Sequence, residues 1–117
     1  MPRRIKPLES RMPVHRAAML IRRALGFTKK RMANETGCSH QEWAKYESGT
    51  RAIPFTILEA IRDLSGIDAY VLAYCLFFNH NKLPGSLQKI LSELRDEWLK
   101  QIEIMTNVRH KLPAGYW

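Results

Sequence analysis

Ser39, His40, Gln41, Ala44 and Lys45 fall within seven residues of a 117-residue chain, and they offer hydroxyl, imidazole, carboxamide, methyl and ammonium groups. Such a set performs no covalent chemistry. Its chemistry is recognition through hydrogen bonds, charge and apolar contact. On one exposed helical face, Gln41 can pair bidentately with adenine N6 and N7, Lys45 can donate to guanine O6 and N7, and Ala44 can meet a thymine methyl. His40 and Ser39 add groups for a base acceptor or a phosphate. Thr28, Lys29 and Lys30 precede this set and Ser48, Thr50 and Arg51 follow it. The first three stand at the start of an expected helix, where free backbone amides favour an anion, so all six are candidates for phosphate contact that supplies affinity rather than sequence choice. Each of the eleven residues is also of a kind found on any solvated helix face.

The elements that must position them are legible between Thr28 and Gly49, TKKRMANETGCSHQEWAKYESG. Thr28 is expected to cap a first short helix, with Phe27 and Met32 at the two positions of a hydrophobic staple, and Met32 and Ala33 facing inward. Gly37 falls where that helix must stop, because a left-handed residue costs little only without a Cβ. A second helix follows at once. Ser39 and Glu42 form an S-x-x-E capping box, and Cys38 and Trp43 form a staple around it, so the start of this helix is specified twice. Gly49 is expected to end it. Glu42 is therefore assigned to the cap rather than to a ligand, and Trp43 and Tyr46 to the core.

This pattern resembles the Cro/repressor type of helix-turn-helix, the XRE family. The residues that carry the resemblance are Thr28, Met32, Ala33, Gly37, Ser39, Trp43, Glu47-Ser48-Gly49, Pro54, Leu58 and Ile61, and it covers Val14 to Phe78. Two positions depart from the family pattern: Lys29 replaces the usual Gln after the first cap, and Trp43 replaces a small branched residue at the inward position of the second helix. The resemblance implies an all-α chain, a five-helix lambda-repressor-like DNA-binding domain followed here by a long C-terminal amphipathic helix. It also implies a small regulator of bacterial, phage or plasmid origin that binds DNA.

Charge supports a polyanionic partner. The net charge is +8, and residues 1–55 carry 12 Lys and Arg against 4 Asp and Glu, whereas residues 56–117 carry seven of each. The whole excess accompanies the candidate reader, where neutralising phosphates would release condensed counterions. A merely solubilising basic surface is the alternative. Cys38 and Cys75 share no CxxC spacing and read as small apolar residues of a reducing compartment. The first twelve residues lack the apolar run of a secretory signal, and the longest apolar run, residues 69–78, is half the roughly 20 residues a spanning helix needs, so a cytoplasmic protein is expected. His15, His40, His80 and His110 match no metal-site spacing, neither Cys has a nucleophile motif, and no Gly-rich phosphate loop occurs. No catalytic residues, metal or cofactor are expected, and the chain is read as a binding protein rather than an enzyme.

Around the reader, four segments are expected. Residues 1–13, with Arg3, Arg4, Lys6 and Arg11, read as a basic arm that is either a solvated tail or a strand reaching along the DNA. Within a DNA-binding domain of residues 14–78, the first helix runs from Val14 to Leu25, with Val14, Ala17, Ala18, Ile21 and Leu25 as its buried stripe. Arg16, Arg22 and Arg23 lie off that stripe and are read as solvated, with Arg22 or Arg23 in reach of phosphate. Pro54 is expected in the first turn of a fourth helix with Leu58, Ile61 and Leu64 inward, and Asp68 caps a fifth that is apolar on every side and therefore needs further cover. After a linker at 79–85, Ser86 is expected to cap a helix over Leu87–Thr106. Its stripe of Leu87, Leu91, Leu94, Trp98 and Met105 fits either a partner helix or the back of the first domain. Residues 86–117 are accordingly expected to serve dimerisation.

The expected function is a transcriptional regulator, a repressor or autoregulator that binds a palindromic operator in double-stranded DNA as a homodimer. An antitoxin-type module, holding a small partner protein while repressing its own promoter, is the alternative. RNA binding is disfavoured by the lack of aromatic pairs on a strand pattern.

Overall fold

A computed structural model describes residues 12–77 and 83–111, with side chains described as far as Asn107. The expected basic arm apart from Met12 and Pro13, most of the linker with His80, and the tail beyond Lys111 lie outside the described residues. Six helices make up the rest: α1 (Val14–Leu25), α2 (Lys29–Thr36), α3 (His40–Ser48), α4 (Phe55–Ser65), α5 (Ala69–Phe77) and α6 (Gly85–Lys111). Among the described residues there is no β-strand.

The first five helices close around a core whose most enclosed side chains are Ile21, Met32, Trp43, Ile61, Ile67 and Leu72. Burying an aliphatic or aromatic side chain of this kind contributes about 1.5–3 kcal/mol relative to leaving it in water. Helices α1 and α5 pack on one another, and their buried residues include Ala17 and Ala18 of α1 and Ala69 and Ala73 of α5, residues small enough to let helix axes approach. The buried stripe of α1 is Ala17, Ala18, Ile21 and Ala24, with Val14 and Leu25 at its half-buried margins. In α4 the fully inward residues are Ile57, Ile61 and Ser65, and Leu58 and Leu64 flank them. Both stripes are thus rotated slightly from the expected ones, because a core-facing helix buries an arc broad enough to admit neighbouring positions.

Local chemistry sets the ends of these helices. Pro54 precedes the first turn of α4 and stands at its N-cap, contrary to the expected position inside the helix. Asp68 Oδ1 accepts from the Val71 N–H at 3.0 Å and caps α5 as anticipated. Ser86 does not cap α6, because that helix begins at Gly85, with the Pro84 carbonyl accepting from Leu87 and Gln88. The side chain of Gln88 turns back to the Leu83 carbonyl at 2.7 Å.

Helix α6 lies against α1 and α5, so the Trp98–Met105 end of its stripe covers the back of the first domain, whereas Leu87 stays exposed. Trp98, Ile102 and Met105 pack onto the core, and Gln101 Nε2 donates to the Ser65 carbonyl at 2.9 Å, tying α6 to the C-terminal end of α4. The cover that the apolar α5 requires is therefore supplied by α1 on one side and α6 on another. Leu87, Ile90, Leu99 and Ile104 of α6 remain exposed, as do Tyr70 and Phe77 of α5.

Candidate nucleic-acid interface

Helix α2 begins as its sequence requires: Thr28 is extended and its Oγ1 accepts from the Arg31 N–H at 3.1 Å. Phe27 is half-buried against the core, with the Arg31 guanidinium 4.0 Å above the ring centroid, an arrangement that attracts cation to ring face. Met32, Ala33 and Thr36 are buried, and the Thr36 hydroxyl donates to the Met32 carbonyl at 2.7 Å, so its polar atom is satisfied inside the helix. Gly37 adopts φ +82°, which lets the N–H groups of Gly37 and Cys38 both close on the Ala33 carbonyl, at 2.9 and 3.0 Å. That geometry turns the chain directly into α3.

Helix α3 is held at both ends and underneath. At its start the capping box is complete: Glu42 N–H donates to Ser39 Oγ at 3.0 Å, and Ser39 N–H donates to Glu42 Oε1 at 3.1 Å. The hydrogen bond from the Ser39 backbone, then that from its side chain, holds the Glu42 carboxyl below its ordinary range, with the Arg51 and Lys45 charges adding to the effect. Glu42 thus remains ionised while its charge is used on the helix terminus. At the other end Gly49 is left-handed, and the Lys45 carbonyl gathers the Thr50 and Arg51 N–H groups at 3.1 and 3.3 Å and the Ser48 and Thr50 hydroxyls at 3.1 and 3.3 Å.

Underneath lies an ion pair that the sequence did not reveal. Arg22 of α1 donates from Nε to Glu47 Oε2 and from Nη2 to Glu47 Oε1, both at 2.8 Å, and from Nη1 to the Phe27 carbonyl at 2.9 Å. Trp43 Nε1 donates to Glu47 Oε2 as well. The Glu47 side chain is only 4% exposed and that of Arg22 12%. Arg22 is therefore not a solvated or phosphate-facing residue, as expected from its place off the α1 stripe. It is the buried counterion of Glu47 and joins α1, the α1–α2 connection and α3. A bidentate guanidinium–carboxylate pair fixes orientation as well as distance. The available signal was Glu47 itself: a carboxylate four residues after Trp43 on the inward face of α3 needs a cation. Tyr46 meets Trp43 edge-on, with centroids 6.4 Å apart, and burial pushes its phenol above the ordinary range.

These supports leave the expected contact residues facing out. Ser39, His40, Gln41 and Lys45 are exposed and Ala44 is half-buried, all on or beside the first two turns of α3. Thr28, Lys29, Lys30, Ser48, Thr50 and Arg51 are exposed as well. Of the six residues flanking the readers, Thr28 Oγ1 and the Ser48 and Thr50 hydroxyls are already engaged with nearby backbone, and Lys29, Lys30 and Arg51 are the cations. Cys38 is half-buried in the turn with Sγ 3.6 Å from Thr36 Oγ1, and Cys75 is buried in α5. Among the described residues no cluster of His, Cys, Asp or Glu stands as a set of metal ligands would, and no helix is long and apolar enough to cross a membrane.

A capped helix, a left-handed glycine turn and a second capped helix with an exposed polar amino end define a helix-turn-helix of the DNA-binding kind. Residues 19–73 match a family model described as a helix-turn-helix domain, a family found in XRE-like regulators. No curated protein and no solved structure matches the chain.

Proposed function

We propose that the protein is a non-enzymatic, cytoplasmic transcriptional regulator, a repressor or autoregulator that binds a palindromic operator as a homodimer. The observation that carries this reading is the outward presentation of Ser39, His40, Gln41 and Lys45 on a helix whose start is fixed by the Ser39–Glu42 capping box and whose underside is fixed by Arg22–Glu47. In a docked helix-turn-helix the amino end of the second helix enters the major groove while the first crosses the backbone. Gln41, Lys45 and Ala44 are then the base readers, Ser39 and His40 add base or phosphate contacts, and Lys29, Lys30, Arg51, Thr28, Ser48 and Thr50 lie along the phosphates.

Dimerisation is supported by the apolar residues that α6 leaves in solvent. Ile90 and Ile104 are 57% and 55% exposed and lie two heptads apart on one flank of the helix. A twofold pair would place its readers about one DNA turn, roughly 34 Å, apart. The same residues support the second reading, an antitoxin-type module whose α6 holds a small partner protein. Selection of bound duplexes from a random pool tests the proposal: enrichment of an inverted repeat supports it, a single asymmetric half-site removes the dimer, and no enrichment removes sequence-specific reading.

A further inference from the structure

Only one arc of α6 is spent on the domain: Trp98, Ile102 and Met105 pack on the core, whereas Leu87, Ile90 and Ile104 stay exposed and Leu94 is half-buried. Leu87, Ile90, Leu94, Glu97, Gln101 and Ile104 follow one another at spacings of 3, 4, 3, 4 and 3, the repeat of a two-helix seam. At 1.5 Å per residue the seam is about 26 Å long, and Ile90, Glu97 and Ile104 stand roughly 90–130° round the helix from the middle of the core-facing arc. Gln101, tied to the Ser65 carbonyl, marks the edge where the seam meets α4. We propose that this seam pairs with the same seam of a second copy in antiparallel orientation, Leu87 of each chain opposite Ile104 of the other and Glu93 of each opposite Lys100 of the other. The inference rests on the homodimer of the proposed function and specifies its surface and the direction of its helices.

Charge sets that direction. Residues beside such a seam select orientation through ion pairs between the helices. Glu93 and Lys100 immediately precede Leu94 and Gln101, so both flank the seam on one side, and both are exposed. They are seven residues apart, whereas pairs along a single helix form at three or four. With Leu87 opposite Ile104, Ile90 falls opposite Gln101 and Leu94 opposite Glu97, and the twofold axis passes between Arg95 and Asp96. The flanking charges then meet crosswise, Glu93 of each copy with Lys100 of the other, which gives two ion pairs related by symmetry. A parallel pair sets each seam position against itself, so Glu97 would face Glu97 and neither Glu93 nor Lys100 would meet the other. Like charges opposed in this way repel.

Sedimentation equilibrium of the full chain without DNA measures the dimerisation Kd, and circular dichroism checks the helix content of each variant. A wild-type dimer is expected. Ile90→Lys puts a cation into the seam at an exposed position and is expected to raise the Kd at least about tenfold. Glu93→Lys opposes lysine to lysine at both symmetry-related places and is expected to raise it about fivefold. Combining Glu93→Lys with Lys100→Glu restores opposite charges across an antiparallel seam, and only there, so the double variant is expected to return to within about twofold of the wild-type Kd. A monomeric wild-type chain, an unchanged Kd in Ile90→Lys, or a double variant no tighter than Glu93→Lys overturns the proposal. A dimer indifferent to Ile90→Lys moves the homodimer of the proposed function to another surface and leaves it standing, whereas a monomeric chain removes both.

Discussion

Replacing Glu47 by Met keeps the volume of the side chain and removes its charge, leaving Arg22 buried opposite an apolar group. The guanidinium loses two hydrogen bonds of 2.8 Å and keeps one of 2.9 Å to the Phe27 carbonyl, and Trp43 Nε1 loses its acceptor. Removing one member of a buried pair costs about 3–5 kcal/mol. Because Arg22 is 12% exposed and keeps one acceptor, the lower end applies, about 3 kcal/mol, with about 1 kcal/mol more for the indole N–H. At about 4 °C per kcal/mol for a chain of this length, the midpoint of thermal unfolding falls by about 12–16 °C. Arg22→Met is expected to cost a similar amount, since it strands a carboxylate that is 4% exposed. The double variant leaves no stranded charge and is expected to cost far less than the two singles together, with a coupling of at least about 2 kcal/mol. Urea unfolding followed by far-ultraviolet circular dichroism measures all four corners without relying on Trp43 fluorescence. Additivity of the single costs within about 0.5 kcal/mol would refute the reasoning and return Arg22 to the surface role its sequence position suggested.

Three further outcomes are expected from the same geometry. The Glu42 carboxyl is held down in the folded chain by hydrogen bonds from the Ser39 backbone and side chain, so its support of α3 is complete above the unfolded value and is lost as pH falls through the lower folded one; Glu42→Gln should flatten that part of the acid unfolding profile, from about pH 5 downward. Gly37→Ala meets no atom within 4 Å of its new Cβ but must keep φ +82°, so hydrogen exchange and urea titration should report a loss of about 1–2 kcal/mol, and Gly37→Asn a smaller one. Native-state thiol labelling should modify the half-buried Cys38 first, because Cys75 is enclosed and its thiol is pushed up by burial; equal rates would contradict that placement.

What the sequence made legible was chemistry of short range. Thr28, the Ser39–Glu42 box, Gly37, Gly49 and Asp68 act on backbone groups three or four residues away, and each does so in the structure as expected. Partnerships across helices were not legible in the same way. Arg22 and Glu47 are 25 residues apart, and nothing in the local pattern of α1 distinguishes a buried arginine from the exposed Arg23 beside it in the chain. Pro54 and Ser86 missed by a residue or two, because a proline suits both the N-cap and the first turn and a serine can stand inside a helix whose first amides find other acceptors. The two uses of the α6 stripe were equivalent in sequence; contacts with α1 and α5, together with Gln101 reaching Ser65, show that part of it covers the back of the domain. The exposed face of the reader was legible because solvent exposure follows from which neighbours, Trp43 and Tyr46, must turn inward; the burial of Glu47 was not.

The central claim is that the amino end of α3 reads base edges in duplex DNA. Its most direct test is a titration at fixed salt of the wild-type chain, Gln41→Ala and Arg51→Ala against the selected duplex and a random one. The account predicts that Gln41→Ala weakens binding to the selected duplex by about 1–3 kcal/mol and leaves the random duplex nearly unchanged, whereas Arg51→Ala weakens both and lowers the salt slope by about 1. Equal losses on the two duplexes for Gln41→Ala, or wild-type binding that does not distinguish them even in dilute salt, would contradict it.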